Sequence, residues 1–143
     1  MKEPQQYCTF QVGGFLFGVA VTKVQEVVRY QEMTHVPLAP REVSGLINLR
    51  GQIITTIDLR RRLRLPDRAA EAKPINVLIS TPEGGISLQV DQIEDVIDVD
   101  ADSIEAPPEA LDPEVRRCLI GVSKQRDRLL LILDEARAME LAA

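Results

Sequence analysis

Large aromatic side chains are scarce in this sequence. It has no Trp, two Tyr and three Phe among 143 residues. The core must therefore be built from Val, Ile and Leu, and the β-branched residues among these favour strands over helices. The chain is long enough to bury a core of its own without disulfides or metals. We expect one domain, all-β with short helices.

Positive charge is also in short supply. Lys and Arg total 17 against 22 Asp and Glu, which gives a net charge of -5. Binding to nucleic-acid phosphates requires clustered positive charge, so this composition argues against a nucleic-acid partner. One basic cluster exists, at Arg60, Arg61, Arg62 and Arg64, but no aromatic residues interleave it. We interpret it as a solvated helix face, and a small nucleic-acid-binding barrel protein stays open as an alternative.

Side chains suited to catalysis or metal binding are few. His35 is the only histidine, and Cys8 and Cys118 show no CxxC spacing, so neither a nucleophilic site nor a zinc site can be assembled. The acidic run from Asp98 to Glu109 follows part of a calcium-loop pattern, but Ser103 stands where the loop needs Gly. We predict a protein that is not an enzyme and has no metal or cofactor.

Long hydrophobic runs are missing too. No segment approaches the roughly 18 apolar residues that a membrane span requires. The first six residues are polar and lack the apolar region of a signal peptide. We therefore expect a cytoplasmic protein without direct membrane insertion. We expect Cys8 and Cys118 to be reduced and mostly buried, and a disulfide between them stays open as the alternative.

What the sequence does contain is a series of short alternating strands separated by turn residues. Asp58 is placed to cap a short helix through Leu63. The predicted elements are strands at 7–12 and 15–19, a helical turn running into a strand over 21–29, strands at 44–48 and 53–57, strands at 75–80, 86–91 and 93–99, a last hairpin at 118–133, and a terminal helix at 134–142.

The second half of this series repeats the first. Gly13, Gly14 and Phe15 match Gly84, Gly85 and Ile86, and 24–28 matches 93–97. Two similar units of about five strands are most simply two small barrels with a groove between them. We predict subdomain 1 at 7–66, a proline-bounded linker at 67–74 and subdomain 2 at 75–133; one irregular sandwich is the alternative.

A hairpin tip at Asn48, Leu49, Arg50 and Gly51 carries side chains that a fold alone does not require. The segment from Gly45 to Arg60 resembles the most recognisable motif of the CheW family, the adaptors that couple chemoreceptors to a histidine kinase in bacterial chemosensory arrays. Lys23 to Val27, Val90 with Asp91, and Val96 also fit the family pattern, so the resemblance covers nearly the whole chain.

The resemblance implies a single CheW-like domain of two SH3-like five-stranded β-barrels. It also implies a non-enzymatic scaffold that couples methyl-accepting chemotaxis proteins to the kinase CheA. In the family, the groove between the barrels receives the helical hairpin tip of a chemoreceptor, and other faces meet the regulatory domain of CheA. By matching motif positions, the residues expected around the receptor groove are Val24, Glu26, Val27, Gly45, Arg50, Ile75 and Val96.

Within that set, the four aliphatic residues are expected to form an apolar floor for a helix, and Arg50 and Glu26 to form an ion pair that braces the groove. Thr55 departs from the family, which usually carries Pro there. The sequence has no receiver or kinase domain and begins with Met1. We expect a free adaptor, and an isolated CheA regulatory domain stays open as an alternative.

Overall fold

The computed structural model describes residues 4–82 and 84–141, and within these ranges eleven strands form two sheets, as the composition predicts. In chain order the strands are β1 (Gln5–Val12), β2 (Phe15–Ala20), β3 (Val24–Val28), β4 (Val43–Leu49), β5 (Gln52–Asp58), β6 (Ile75–Thr81), β7 (Gly84–Val90), β8 (Gln92–Val99), β9 (Ile104–Glu105), β10 (Leu119–Lys124) and β11 (Leu129–Leu133). The helices are α1 (Leu59–Arg62), α2 (Pro113–Arg117) and α3 (Glu135–Ala138), and single 3₁₀ turns lie at Val21–Lys23 and Ala101–Ser103.

The two sheets have corresponding strand orders. The first sheet runs β8-β1-β2-β11-β10-β9 and the second runs β3-β6-β7-β5-β4. If β6, β7, β8, β10 and β11 are taken as the counterparts of β1 to β5, the orders match over five strands, and β9 is an additional strand at one edge of the first sheet. In both sheets the central pair is parallel, β2 with β11 and β5 with β7. The internal repeat seen in the sequence is therefore a repeat of structure.

Strand pairing does not follow the predicted division into 7–66 and 75–133. The third strand of each repeat pairs with the first strand of the other repeat, so β3 lies beside β6 and β8 lies beside β1. Each sheet thus takes strands from both sides of the 67–74 linker. A sequence repeat identifies equivalent strands, but it does not indicate which copy of a strand completes a sheet.

One large apolar cluster joins the two sheets. It contains Phe10, Phe17 and Leu131 from the first sheet and Val77 and Leu88 from the second, all almost fully buried. On its other face, each sheet has a smaller cluster of its own, with the first built around Tyr7, Leu16, Leu130 and Ile132 and the second around Ile47, Ile54 and Leu78. The boundary between the sheets is therefore a packed core, and a groove can lie only at its margins.

Each of the three short helices begins at an aspartate. The carboxylate oxygens of Asp58, Asp112 and Asp134 accept backbone N–H groups of the first turn at 3.0 to 3.2 Å. Sequence reasoning missed α2, whose Asp112-Pro113 start is a recognisable helix signal. The predicted helix at 134–142 is too long, since α3 ends at Ala138, its only buried residue. Met139 and Leu141, which follow the helix, still pack against the large apolar cluster; Ala142 lies outside the described residues.

The two cysteines are free thiols, as predicted, with Cys8 half-buried and Cys118 buried. Burial raises the pKa of both thiols, which disfavours the reactive thiolate. Over residues 4–82 and 84–141, the helices are all too short and too polar to cross a bilayer.

Candidate docking site

The β4–β5 hairpin ends in a two-residue turn at Arg50 and Gly51. Their φ angles are 51° and 86°, and positive φ at both central residues is typical of a type I′ turn. The Oδ1 atom of Asn48 accepts the Gly51 N–H at 3.1 Å, and Leu49 packs inward against the second sheet's small cluster. Three residues of the motif thus shape the turn, and Arg50 projects from it.

Arg50 holds a conformation that suits glycine better. A non-glycine residue in the left-handed region costs about 1 kcal/mol. The side chain is 68% exposed, so packing does not compensate for this cost. Strained residues with exposed side chains concentrate where a protein makes functional contacts. Arg50 is therefore the strongest candidate for a contact residue in this hairpin.

Arg50 forms the predicted ion pair with Glu26. Its guanidinium donates a hydrogen bond to the Oε2 atom of Glu26 on β3. Since β3 and β4 are the two opposite edges of the second sheet, the pair links one edge to the hairpin tip at the other. An exposed pair of this kind contributes at most about 1 kcal/mol to stability. Its main effect is to fix the position of both side chains.

A β-bulge sets the direction of Glu26. Val24 lies opposite Ile79 and Glu26 lies opposite Leu78, so Gln25 is an extra residue in β3. Glu26 consequently faces the same side as Leu78, which belongs to the sheet's own small cluster. Val27 pairs with Val77 and faces the side of the shared core. Because β3 is an edge strand, Val27 remains 42% exposed.

Three of the other predicted site residues are largely covered. Val24 and Ile75 are half-buried and pack against the shared core. Gly45 is buried, and a Cβ atom there would lie 2.7 Å from the carbonyl oxygen of Thr34. Gly45 is thus required for the close approach of two backbone segments. The predicted apolar floor is smaller than expected, because neither Val24 nor Ile75 offers a fully accessible side chain.

Val96 lies on β8, at the edge of the first sheet, whereas the other six predicted residues belong to the second sheet or its hairpin tip. It pairs with Cys8 and is 52% exposed. In the internal repeat it is the counterpart of Val27. The structure therefore brings Glu26 and Arg50 into contact, places Val24 and Val27 on one face, and puts Val96 at the equivalent position of the other sheet.

The basic cluster that follows this hairpin is not the solvated helix face that the sequence suggested. Arg60 donates to Asp91, with its Nη2 atom 2.7 Å from Oδ2. Arg62 is buried and donates to the carbonyl oxygens of Arg137 and Ala138 at 2.8 and 3.0 Å. Because α1 is a single turn, its side chains radiate in all directions and meet internal acceptors. Most guanidinium groups of this cluster are therefore already bound within the domain, which weakens the alternative of a nucleic-acid-binding protein.

Sequence reasoning also missed Arg68, which lies in the predicted linker. Its Nε atom is 2.8 Å from Asp91 Oδ1, and its Nη1 atom is 3.0 Å from Asp58 Oδ1. Burial would raise the pKa of Asp91, but the hydrogen bonds from Arg60 and from the Gly13 N–H, with the charge of Arg68, lower it below its usual value. The linker is therefore fastened to the domain by a half-buried ionic network.

Comparisons with known proteins agree on one family. The protein-family model described as "CheW-like domain" matches residues 6–143 of this chain. The chemotaxis protein CheW of Bacillus subtilis (strain 168) is 32% identical over 134 residues, which cover 94% of this chain and 86% of that protein. CheW of Treponema pallidum (strain Nichols) is 30% identical over 136 residues, 92% of this chain and 80% of that protein.

A solved structure shares the architecture. The crystal structure of the scaffolding protein TtCheW from Thermoanaerobacter tengcongensis matches with a TM-score of 0.86 and 29% sequence identity. The match covers 99% of this chain and 91% of that one. The overall fold described above is thus one already seen by crystallography.

Proposed function

Since this chain belongs to the CheW family, we propose that Glu26, Val27 and Arg50 hold the helical signalling tip of a chemoreceptor at the margin between its two SH3-like barrels. The protein is an adaptor that couples chemoreceptors to the histidine kinase CheA in chemotaxis, and the family is a non-catalytic scaffold. Neither a nucleic-acid-binding role nor an isolated CheA regulatory domain is supported by the relatives it matches.

The observation that carries the proposed site is the exposed, strained Arg50 fixed by Glu26. A guanidinium held in one place retains donors that its carboxylate partner does not use, and these can orient a polar group of an incoming helix. Val27 lies next to Glu26 on the same edge strand and supplies an exposed apolar contact. An amphipathic helix that docks in a groove needs this combination of an apolar anchor and a polar guide.

The kinase is proposed to bind elsewhere on the domain, through its regulatory domain. Receptor and kinase must be held at the same time for coupling, so their contact surfaces have to be separate. The signalling tip of a chemoreceptor lies in the cytoplasm, and we place the adaptor there, recruited to membrane-associated receptor arrays.

The test is a binding measurement of the whole chain against a receptor signalling fragment and, separately, a CheA regulatory domain. Arg50→Ala and Val27→Asp are expected to weaken receptor binding at least tenfold and to leave kinase binding unchanged. Matched controls are Arg126→Ala and Ile120→Asp, which alter an exposed arginine and an exposed aliphatic residue on the other sheet. Equal receptor affinity for wild type, Arg50→Ala and Val27→Asp would remove the proposed site.

A further inference from the structure

The face of the second sheet that points away from the shared core is only partly apolar. Beside the sheet's own small cluster, Thr56, Asn76, Ser87 and Gln89 lie on this face, and each is at most 3% exposed. The Ser87 hydroxyl donates to Asn76 Oδ1 at 3.1 Å, whereas the Thr56 hydroxyl has no hydrogen-bond partner among the described residues. Burying polar groups costs free energy unless they are fully hydrogen-bonded, so their presence here needs a reason.

The equivalent positions of the first sheet are apolar. Strand pairing aligns the two sheets residue by residue, since Thr56 and Ile132 lie opposite Gly45 and Gly121, the glycines beside the bulges of their hairpins. The remaining strands align through the equivalence of Val27 with Val96. Three buried polar residues then have counterparts that belong to the first sheet's small apolar cluster or pack against it. The pairs are Thr56 with Ile132, Asn76 with Tyr7, and Gln89 with Ala20. The fold can therefore be built without these polar side chains.

A cavity of about 310 Å³ lies at this polar face. Its lining residues come from the loop after β3, from the 67–74 linker and from the sheet, where Ser44 and Gln89 contribute. Gln89 Oε1 accepts the Ser44 hydroxyl, and its Nε2 atom lies 3.5 Å from the sulfur of Met33, which is a weak acceptor. Within the part of the chain that the structure describes, the buried amide N–H groups of Gln89 thus have no strong acceptor.

The charged residues around the cavity balance one another. Arg68 Nη1 lies 3.0 Å from Asp58 Oδ1, and Arg61 Nε lies 3.3 Å from Asp67 Oδ1. A charged ligand would compete with these pairs, whereas an uncharged one leaves them intact. The lining offers both donors and acceptors, and a hydroxyl group can serve as either. The partly exposed ring of Tyr30 adds an apolar surface for the C–H groups of a ligand.

We propose that this cavity binds a small uncharged polyol of the size of a monosaccharide, with one ligand oxygen accepting a hydrogen bond from the side-chain amide of Gln89. A water molecule occupies about 30 Å³ in the liquid, so the cavity volume corresponds to roughly ten waters, which suits a single sugar ring. It lies at the lower end of the roughly 300–1,000 Å³ typical of small-molecule sites. The site shares no residue with the proposed receptor contacts, so it stands or falls independently of them.

The test is an NMR titration of the whole chain with glucose and with myo-inositol, followed through the side-chain amide signals of Gln89. At least one of the two polyols should shift these signals saturably. Ala70→Leu places a larger side chain in the cavity and should weaken binding about tenfold or more. Ala69→Leu is the matched control, because Ala69 is the adjacent linker residue but lines a neighbouring cavity, and it should bind as wild type does.

Gln89→Met keeps a side chain of similar size but removes the amide donor, and its affinity, followed through the backbone signals around the cavity, should fall about tenfold. Ala70→Leu leaves the buried polar network unchanged, so it tests the site even if Gln89→Met does not fold. Glucuronate, which adds one negative charge to the sugar, should bind more weakly than glucose. The proposal is wrong if neither polyol shifts the Gln89 signals, if Ala70→Leu binds as wild type does, or if glucuronate binds as tightly as glucose.

Discussion

The guanidinium of Arg68 donates a hydrogen bond to Asp91 with its Nε atom 2.8 Å from Oδ1. Asp91 is the single residue between β7 of the second sheet and β8 of the first. It also accepts the Gly13 N–H at 2.8 Å, from the β1–β2 turn of the first sheet. One carboxylate therefore connects the linker, the crossing between the sheets and a hairpin turn.

Removing this carboxylate should destabilise the domain strongly. Asp91→Ala leaves Arg60, Arg68 and the Gly13 N–H without their half-buried acceptor, and we expect a loss of about 3 kcal/mol in the free energy of unfolding. Urea denaturation followed by circular dichroism measures this. Asp98→Ala, at an exposed position of β8, is the control and should change stability by less than about 0.5 kcal/mol. Equal stability of the two variants would contradict the structural role of Asp91.

The pKa of Glu94 provides a direct probe of its pairing. Hydrogen bonds from Arg128 and Gln11 lower it from 4.5 to about 2. Because the pKa is lowered in the folded state, the pairing stabilises the fold fully above pH 4.5, and this contribution is lost as pH falls towards 2. An NMR titration of the side-chain carboxyl should give about 2 in wild type and Arg126→Ala, and a clearly higher pKa in Arg128→Ala, where only the hydrogen bond from Gln11 still lowers it. An unchanged pKa in Arg128→Ala would show that the ion pair does not form in solution.

Two glycines with positive φ should respond differently to alanine. At Gly45 the new Cβ atom would lie 2.7 Å from a backbone oxygen, so Gly45→Ala should cost about 3 kcal/mol of stability. At Gly14 nothing lies within 4 Å of that atom, and Gly14→Ala should cost only the backbone term of about 1 kcal/mol. The melting temperatures of the two variants, measured by thermal unfolding, test this difference. A similar decrease in both would mean that the Thr34 backbone can move away from the added Cβ atom at position 45.

Stability and receptor binding should separate at Arg50. Arg50→Gly relieves the left-handed strain but adds chain entropy to the unfolded state, so stability should stay within about 0.5 kcal/mol of wild type. Receptor affinity should nevertheless fall at least tenfold, since the guanidinium is gone. Arg50→Val, with a β-branched side chain at positive φ, should instead lose about 2 kcal/mol. Wild-type receptor affinity in Arg50→Gly would show that the side chain is not a contact residue.

Much of the fold follows from local signals in the sequence. Alternating residues and glycine turns located the hairpins, and Asp58 marked a helix start. Pairing between distant strands could not be predicted, because β3 has the same alternation whether it lies beside β6 or beside a strand of its own half. The single turn α2 was missed, although Asp112 and Pro113 mark its start.

The docking residues were predictable in part. The motif located Arg50 and Glu26, whose contact is local to one hairpin and one edge strand. Burial of Val24, Ile75 and Gly45 depends on the shared core and could not be inferred from the motif. The ion pairs of Arg68 could not be predicted, because its two carboxylate partners are distant in the sequence and the polar segment around it has no pattern that indicates them.

The exchange of strands between the repeats affects how the chain can fold while it is being synthesised. Neither sheet can be completed while only the first 66 residues have left the ribosome, because β1 lacks β8 and β3 lacks β6. The second sheet has all its strands once β7 has been made, whereas the first sheet waits for β11, so the nascent chain exposes unpaired strands of the first sheet late into its synthesis. For the same reason, a chain cut by a protease within 67–74 would stay together as two interlocked fragments, each supplying strands that the other cannot replace.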